Sequence, residues 1–243
     1  MWCVIPAAGR ATRLRSRTAG RSKALLEISG RPLITHLLDR VGPPFTDVCL
    51  VTGPDDLESL RALLGQRYRD LRLRYAVQME PTGVADAVCH AAEWVRGPFV
   101  VLLGDCYYDT ELREFPLRWE GTGSDGAVLV EPVVAPGGQP MGLVTLVDDR
   151  IGRIFKAPWA GGTDWRVCGA FLFPESFFAV AAKTPRAESG EYELEDVVSR
   201  FIAAGAMFTA IPYGGWRRNI NTPQDLAAVE AWIASGPGAG SGV

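Results

Sequence analysis

The chain has 243 residues, of which 47% are hydrophobic and 22% charged, and its formal net charge at pH 7 is −3. These proportions are typical of a globular protein with one sizeable core. The acidic balance excludes a large basic face for duplex nucleic acid. Neither a secretory leader pattern nor an apolar run near the ~18 residues of a membrane span is found, so we expect a cytoplasmic protein that binds neither nucleic acid nor membranes.

Five cysteines are scattered along the chain, mostly inside apolar runs. No pair of them has the spacing of metal ligands, and an odd number does not suggest a disulfide framework. We therefore predict buried, reduced thiols, as is usual in the cytosol.

Strand-like and helix-like segments alternate in the first part of the chain. Apolar strands are predicted at WCVIPA, DVCLVT, LRLRYAVQ and PFVVLLGD, and helices after Pro32, at DDLESLRALLG and at VADAVCHAAEWV. Acidic residues suit the start of the second helix, and Gly65 suits its end. This order predicts a parallel, twisted sheet covered by helices on both faces.

The pattern changes after Asp105, where strand-like runs follow one another closely. We predict strands at GAVLVEPV, MGLVTLVDD, RIGRIFKAP, VCGAFLF and MFTAIPY, and helices at PESFFAVAAK, LEDVVSRFIAAG and TPQDLAAVEAWIA. Some of these strands should be antiparallel. No linker separates the two halves, so we predict one domain over residues 1–234, and the Gly/Ser-rich end predicts a flexible tail over residues 235–243.

A basic loop, AAGRATRLRSRTAGRSK, follows the first predicted strand. Loops at the carboxyl end of a first parallel strand lie where α/β folds bind ligands. The small residues Ala7, Ala8 and Gly9 let backbone N–H groups approach phosphate oxygens, and Arg13 and Lys23 would supply positive charge to the same group. The loop is neither a P-loop nor a GxGxxG motif, so a phosphate site and a solvated basic loop both stay open at this point.

The segments PAAGRATRL and SKALLEISGRPLI together resemble the signature of the sugar-1-phosphate nucleotidylyltransferases, and the Ser-Lys pair resembles the glucose-1-phosphate thymidylyltransferase branch. Ala11 departs from the family pattern, which has glycine there. The resemblance implies a Rossmann-like fold with a mixed, mostly parallel twisted sheet. It also implies Mg²⁺-dependent transfer of a nucleotidyl group from an NTP, with dTTP or UTP favoured, to a sugar 1-phosphate, with release of pyrophosphate.

The resemblance assigns the nucleotide side of the site. Ala7, Ala8 and Gly9 would bind the phosphates, and Arg13 and Lys23 would be the catalytic cations. VQMEPTGVADAV resembles the family's base-binding segment, so Gln78 would hydrogen-bond the nucleobase and Gly83 would let the backbone approach it. An amide offers a donor and an acceptor together, which suits the edge of a pyrimidine.

The metal would be held at the end of FVVLLGD and in WRRNINTPQDL. The resemblance makes Asp105 a Mg²⁺ ligand, and hard carboxylate oxygens suit this ion. Either Asn219 or Asn221 would complete the site. Both asparagines also fit a second interpretation, in which they cap the last helix with Thr222 and Pro223.

The acceptor side is assigned to MGLVTLVDDRIGRIFKAP and SGEYELEDVV. The resemblance implies that Gly142 approaches the sugar and that Lys156 and Glu191 bind on the sugar-phosphate side. Phe155 departs from the family, which has a glutamate there that holds sugar hydroxyls. The identity of the sugar is therefore left open.

Other functions stay open beside the favoured one. The chain could be a cytidylyl- or guanylyltransferase acting on another phosphorylated sugar, alcohol or cofactor precursor, or a non-catalytic protein that binds nucleotide sugars. A glycosyltransferase would typically show an Asp-x-Asp motif, which GDCYYD lacks. The expected partners are an NTP and a sugar 1-phosphate, and assembly into a homo-oligomer stays open.

Overall fold

Fourteen strands and seven helices lie in the part of the chain that the computed structural model describes, residues 1–9, 21–133, 140–161 and 165–236. The strands are β1 (Trp2–Pro6), β2 (Glu27–Ile28), β3 (Arg31–Pro32), β4 (Asp47–Thr52), β5 (Arg67–Tyr68), β6 (Leu71–Val77), β7 (Phe99–Leu102), β8 (Cys106–Tyr108), β9 (Gly126–Pro132), β10 (Met141–Val147), β11 (Arg150–Ala157), β12 (Trp165–Phe173), β13 (Phe208–Pro212) and β14 (Arg217–Asn219). The helices are α1 (Leu33–Asp39), α2 (Leu57–Leu64), α3 (Val84–Cys89), α4 (Glu114–Trp119), α5 (Phe177–Ala181), α6 (Leu194–Ala203) and α7 (Pro223–Ser235).

Ten of these strands form one sheet in the order β10-β11-β13-β9-β12-β7-β1-β4-β6-β5. The first apolar strand, β1, lies between β4 and β7 and is parallel to both, and β4 is parallel to β6. Because the strands of this half run the same way, their carboxyl ends meet at one edge of the sheet. That edge is where open α/β sheets bind ligands.

The other half of the sheet is mixed. Strand β12 runs antiparallel to both β7 and β9, whereas β13 is parallel to β9. Strand β12 contains Gly169, which has φ +75°, and the register of β12 with β9 shifts between Val167 and Phe171. A Cβ on Gly169 would lie 2.8 Å from the Cys106 Sγ atom. The glycine therefore lets β8 pack closely beneath the bent strand.

Helices cover both faces of the sheet because their apolar residues recur at helical spacing. On one face, α1, α2 and α4 bury residues that include Leu37, Leu60 and Phe115. On the other face, α3, α5 and α6 bury residues of a second core cluster. Helix α6 shows the pattern clearly, since Leu194, Val197, Val198 and Phe201 are all buried.

Helix α7 packs on a third apolar cluster and starts with a strong cap. Thr222 is the N-cap residue, and Thr222 and Asp225 form a reciprocal capping box with Pro223 in the first turn. Leu226 and Val229 pack against a group that includes Ile220. The short pair of β8 and β14 lies next to this cluster and joins the two polypeptide segments that carry Asp105 and Asn219.

The predicted mixed sheet with helices on both faces is confirmed, and each predicted strand contains or overlaps an observed one. Sequence patterns missed five strands of two or three residues, β2, β3, β5, β8 and β14, and helix α4. Four cysteines are buried and Cys89 is half-buried, and all of them are free. Of the predicted tail, residues 237–243 lie outside the described residues. No helix within the described ranges has the length and apolar character of a membrane span.

Candidate active site

A cleft of about 990 Å³ opens at the carboxyl edge of the parallel strands. Loops after β1, β6 and β7 enter it from one side, and β10, β11 and β12 form its other side. Every predicted site residue within the described ranges lines this cleft: Ala7, Ala8, Gly9, Lys23, Gln78, Gly83, Asp105, Gly142, Lys156, Glu191, Asn219 and Asn221. Arg13 and Ala11 lie in residues 10–20, outside the described residues.

Lys23 joins two distant parts of the chain at the floor of the cleft. Its Nζ donates to the Asp105 Oδ2 atom at 3.0 Å and to the Asn221 Oδ1 atom at 2.6 Å. The Lys23 and Asp105 side chains are 18% and 30% exposed. The arrangement brings one cation and two oxygen donors to the end of β7.

A short 3-10 turn, Lys23–Leu25, holds Lys23 in this position, and Ser22 anchors the turn. The Ser22 hydroxyl donates to the Ala7 carbonyl at 2.5 Å and accepts from the Ala24 N–H, while the Ser22 N–H donates to the buried Asp56 carboxylate at 3.0 Å. The Ala7 N–H in turn bonds to the Val51 carbonyl. These bonds fix the turn that carries Lys23 to the end of β1.

The two asparagines have different surroundings. The Asn219 side-chain oxygen accepts from the Arg217 Nη1 at 2.5 Å and from the Cys106 Sγ at 3.0 Å. Asn221 instead shares the Lys23 ammonium with Asp105. The helix cap is made by Thr222 and Asp225, which also accepts from the Asn221 N–H at 3.1 Å. The side chain of Asn221 is thus free of capping and directed to the same point as Asp105.

The side-chain oxygens of Asp105 and Asn221 suit a hard divalent cation. Among the described residues, no group of three or more His, Cys, Asp or Glu side chains could hold a metal ion. Asp105 and Asn221, however, already converge on one cation, the Lys23 ammonium. Mg²⁺ typically takes one or two protein oxygens and completes its shell with water and substrate phosphates.

Gln78 is held by a network that sequence reasoning did not find. It is buried just after β6, and its Nε2 donates to the Asp86 Oδ2 at 2.8 Å and to the Gly83 carbonyl at 3.1 Å. Thr82 also donates to Asp86, at 2.6 Å. Burial raises the pKa of the Asp86 carboxyl, but hydrogen bonds from Thr82 and Gln78 outweigh it and hold the pKa below its ordinary value. Because the amide hydrogens bond within the protein, Gln78 offers the cleft its oxygen.

Gly83 is required by packing. Its φ is +127°, and a Cβ there would lie 2.3 Å from the Tyr192 backbone nitrogen. The Tyr192 N–H donates to the Thr82 carbonyl, and the Ala85 N–H donates to the Tyr192 carbonyl, both at 2.9 Å. The loop that carries Gln78 and Gly83 is thereby joined to the segment that leads into α6.

Lys156 lies opposite Gly142 in the β10–β11 pair. Its Nζ donates to both oxygens of the buried Glu193 carboxylate, at 2.8 and 2.9 Å. Burial lowers the pKa of Lys156, but the bonds to Glu193 outweigh it and the net shift is upward. Lys156 is therefore a fixed, protonated cation that retains 42% of its exposure at the cleft. Glu191 lies nearby and is exposed.

Phe155 does not line the cleft, although it adjoins Lys156 in sequence. The Arg153 guanidinium lies over the Phe155 ring at 4.4 Å from its centre. Alternate residues of a strand point to opposite faces, so Arg153 and Phe155 share the face away from Lys156. The Phe155 side chain therefore lies outside the cleft and does not replace the family's glutamate there.

Two arginines that sequence reasoning missed lie deeper in the cleft wall. Arg217, whose side chain is 5% exposed, donates to the Glu131 Oε1 at 2.6 Å, and Arg166 donates to the same oxygen at 2.7 Å. The Arg217 Nε has no hydrogen-bond partner among the described residues. A buried arginine is uncommon, and only the basic pair before Asn219 in the sequence could have pointed to it.

Asp109, which follows β8, has a structural role. Its Oδ1 accepts from the Trp216 N–H at 2.8 Å and from the Tyr213 hydroxyl at 3.2 Å. The carboxylate thus fixes the loop that precedes β14.

Comparisons with known proteins find relatives along nearly the whole chain. The chain is 27% identical over 231 residues to the UTP–glucose-1-phosphate uridylyltransferase AglF of Haloferax volcanii, covering 95% of each chain. It is 29% identical over 238 residues to a glucose-1-phosphate thymidylyltransferase of Mycolicibacterium smegmatis, covering 96% of this chain and 77% of the relative. It spans only 54% of another relative, the bifunctional protein GlmU of Methanocaldococcus jannaschii, at 25% identity.

A solved structure, UDP-glucose pyrophosphorylase complexed with UDP-glucose, superposes with a TM-score of 0.85 at 19% identity and covers 96% of this chain and 98% of its own. At this identity the likeness shows the fold, which is the expected one. The model of the nucleotidyl transferase family matches residues 3–234. The chain therefore belongs to the nucleotidyl transferase family and is an enzyme of that family.

Proposed function

We propose that this enzyme transfers a nucleotidyl group from UTP or dTTP to a sugar 1-phosphate and releases pyrophosphate. The observation that carries the proposal is the contact of Lys23 with Asp105 and Asn221, because it puts a positive charge beside a pair of oxygen donors at the ligand edge of the sheet. The uridylyl- and thymidylyltransferase names of two relatives support the same reaction.

The nucleotide lies on the side formed by β1 and β6. The backbone of Ala7, Ala8 and Gly9 would face the phosphates, and no heavy atom lies within 4 Å of where a Gly9 Cβ would be. The Gln78 oxygen would accept a hydrogen bond from the base, which uracil and thymine supply through their ring N–H. Arg13, which lies outside the described residues, would neutralise the departing pyrophosphate.

The chemistry requires two anions to meet. An oxygen of the sugar phosphate attacks the α-phosphorus, and the bond between that phosphorus and the oxygen of the β-phosphate breaks. Lys23 would turn from Asp105 to the reacting phosphates, and Lys156 would hold the sugar phosphate while Glu193 fixes its direction. Charge neutralisation and orientation are the main sources of rate in such transfers.

Asp105 and Asn221 would hold Mg²⁺ once Lys23 has moved. Their carboxylate and amide oxygens suit this ion, and both already meet a cation in the structure. Bound there, Mg²⁺ would supply positive charge against the α-phosphate. Asn219 is less suited, since its oxygen is bonded to the Arg217 guanidinium.

A pyrophosphate-release screen tests the proposal, with dTTP, UTP, CTP, GTP and ATP each combined with a panel of sugar 1-phosphates. We expect turnover with dTTP or UTP, and a loss of at least about 100-fold in Lys23→Ala. Lys183→Ala, which removes an exposed lysine outside the cleft, is the matched control. Preferential use of CTP or GTP would replace the proposed nucleotide, and absence of turnover with every pair would refute the proposed reaction.

A further inference from the structure

The carboxyl group of Glu195 lies at the acceptor end of the cleft, where the sequence predicted no ligand contact. Glu195 is half-buried in the first turn of α6 and lines the cleft together with Gly142 and Val167. A Cβ built on Gly142 would lie 2.5 Å from the Glu195 Oε1 atom and 2.8 Å from the Val167 Cγ2 atom. The absence of a side chain at residue 142 therefore makes the space that this carboxyl group occupies.

Glu195 differs from its acidic neighbour Glu193 in its hydrogen bonds. Glu193 is bonded to Lys156 through both oxygens, and the Glu193 Oε1 also accepts from the Ser189 hydroxyl at 3.2 Å. No side chain or backbone group of another described residue donates a hydrogen bond to the Glu195 carboxyl. Lys156, the cation that acts on Glu195, is therefore already paired, and Glu195 has unused acceptor capacity at the cleft.

Leaving the Glu195 carboxyl oxygens without a hydrogen-bond donor is energetically unfavourable because of their surroundings. Burial raises the pKa of the Glu195 carboxyl, and Glu193 and Asp196 raise it further, while its own backbone N–H and Lys156 oppose the shift. A carboxyl group in such a place gains most from a neutral hydrogen-bond donor, because a second anion would add repulsion and the local cation is engaged. Sugar hydroxyls are donors of this kind.

We propose that Glu195 is a specificity-determining residue that accepts a hydrogen bond from a ring hydroxyl of the acceptor sugar. This inference rests on the proposed function, since it places the acceptor between Lys156, which holds its phosphate, and Glu195, which reads its ring. Gly142 has the supporting role of leaving room for the carboxyl group beside the sugar. The acceptor class is thus a hydroxylated sugar 1-phosphate rather than a simple phosphorylated alcohol.

The test compares glucose 1-phosphate with its monodeoxy analogues, using the complete chain and the better of UTP and dTTP. If the screen prefers another sugar 1-phosphate, that compound and its deoxy analogues are used. In the wild type, removal of one particular hydroxyl should lower kcat/KM by about 10- to 100-fold, as expected for a lost hydrogen bond to a charged group.

Glu195→Ala should lose this discrimination, with similar kcat/KM for the parent sugar and that analogue, while KM for the NTP changes by less than about twofold. Glu195→Gln keeps the size and one acceptor and should be intermediate, which guards against a folding defect in the alanine variant. Glu188→Gln, at an exposed position outside the cleft, is the matched control.

The inference is overturned if Glu195→Ala and Glu195→Gln still discriminate as the wild type does, or if they raise KM for the NTP as much as KM for the sugar. Either result leaves the proposed reaction standing, because wild-type turnover is measured in the same assay. Absence of wild-type turnover with every pair refutes the reaction itself, and the role of Glu195 with it.

Discussion

The side chain of Gln78 donates its amide hydrogen to the Asp86 carboxylate at 2.8 Å, across the turn between β6 and α3. This bond decides which end of the amide faces the cleft, because the nitrogen is held by Asp86 and by the Gly83 carbonyl. Asp86 would thus act on the proposed nucleotide side of the cleft through Gln78, without lining the cleft itself.

Asp86→Ala should therefore impair nucleotide binding. The released amide can rotate, so we expect KM for the NTP to rise about tenfold, the effect of a lost hydrogen bond to a charged group, with a smaller change in kcat. Steady-state kinetics of Asp86→Ala, Gln78→Ala and the double variant give the test. Because both residues act through one bond, the double variant should be no worse than Gln78→Ala.

Asp70→Ala provides the matched control, since Asp70 is exposed on the turn between β5 and β6. Additive effects of the Asp86 and Gln78 substitutions on KM would show that the carboxylate does not act through the amide.

The two asparagines before α7 should differ in their effect on metal dependence. Asn221→Ala removes an oxygen donor that faces the same point as Asp105, so we expect the Mg²⁺ concentration for half-maximal turnover to rise about tenfold. Asn219→Ala should leave it within about twofold, because that oxygen is bonded to Arg217. Calorimetric titration of Mg²⁺ into the enzyme with bound nucleotide gives a second readout. Equal shifts in the two variants would contradict the assignment.

The sequence predicted the sheet and the position of the cleft because both depend on local patterns. Short apolar runs such as that of β7, bounded by Pro98 and Gly104, favour buried strands, and parallel strands bring their carboxyl ends to one edge. The motif order then placed Lys23, Gln78 and Asp105 at that edge. These residues lie next to strand ends, so their positions in the sequence already indicate their places in the fold.

Side-chain partners could not be predicted in the same way. Glu195 and Glu193 stand two residues apart in an acidic helix start, a pattern that is typical of a solvated surface. Because α6 packs against β11, Glu193 forms an ion pair with Lys156 while Glu195 lies beside Gly142. The pairing of Arg217 with Glu131 spans 86 positions and likewise depends on the register of β9, β12 and β14.

The capping box of α7 predicts acid sensitivity of the segment that carries Asn221. Burial raises the pKa of Asp225, but bonds from Arg218, Thr222 and the Asn221 N–H outweigh it, so the folded pKa is below the ordinary value. Its stabilising contribution is therefore complete above the unfolded pKa, about 3.9, and is lost as the pH falls through the folded pKa.

Asp225→Ala should lower the free energy of unfolding at pH 7 by about 1 kcal/mol, the usual cost of losing a helix cap. The difference from the wild type should shrink as the pH falls through the folded pKa, because the wild-type carboxylate becomes protonated. Urea denaturation at pH 7 and at low pH measures both values, with Asp70→Ala as the control for a lost surface charge. A difference that is constant with pH would rule out the carboxylate as its source.

Gly83→Ala should cost more stability than Gly97→Ala, because both place alanine at a positive φ and only Gly83 adds a close contact. Gly97 has φ +71°, and no heavy atom lies within 4 Å of the place that a Cβ would take, so alanine there adds only the left-handed backbone cost of about 1 kcal/mol. At Gly83 the added carbon would lie 2.3 Å from the Tyr192 nitrogen, which adds about 1–3 kcal/mol of overpacking. To relieve this conflict, the turn after β6 must move away from Tyr192.

That movement would break the two backbone bonds between the turn and Tyr192 and would shift Gln78 through the Gly83 carbonyl. We therefore expect Gly83→Ala to lower the melting temperature more than Gly97→Ala does, and to raise KM for the NTP where Gly97→Ala leaves it unchanged. Thermal denaturation and nucleotide kinetics of the two variants decide the matter. If both variants lose the same stability and keep the same KM, the close contact with Tyr192 does not position the nucleotide side of the cleft.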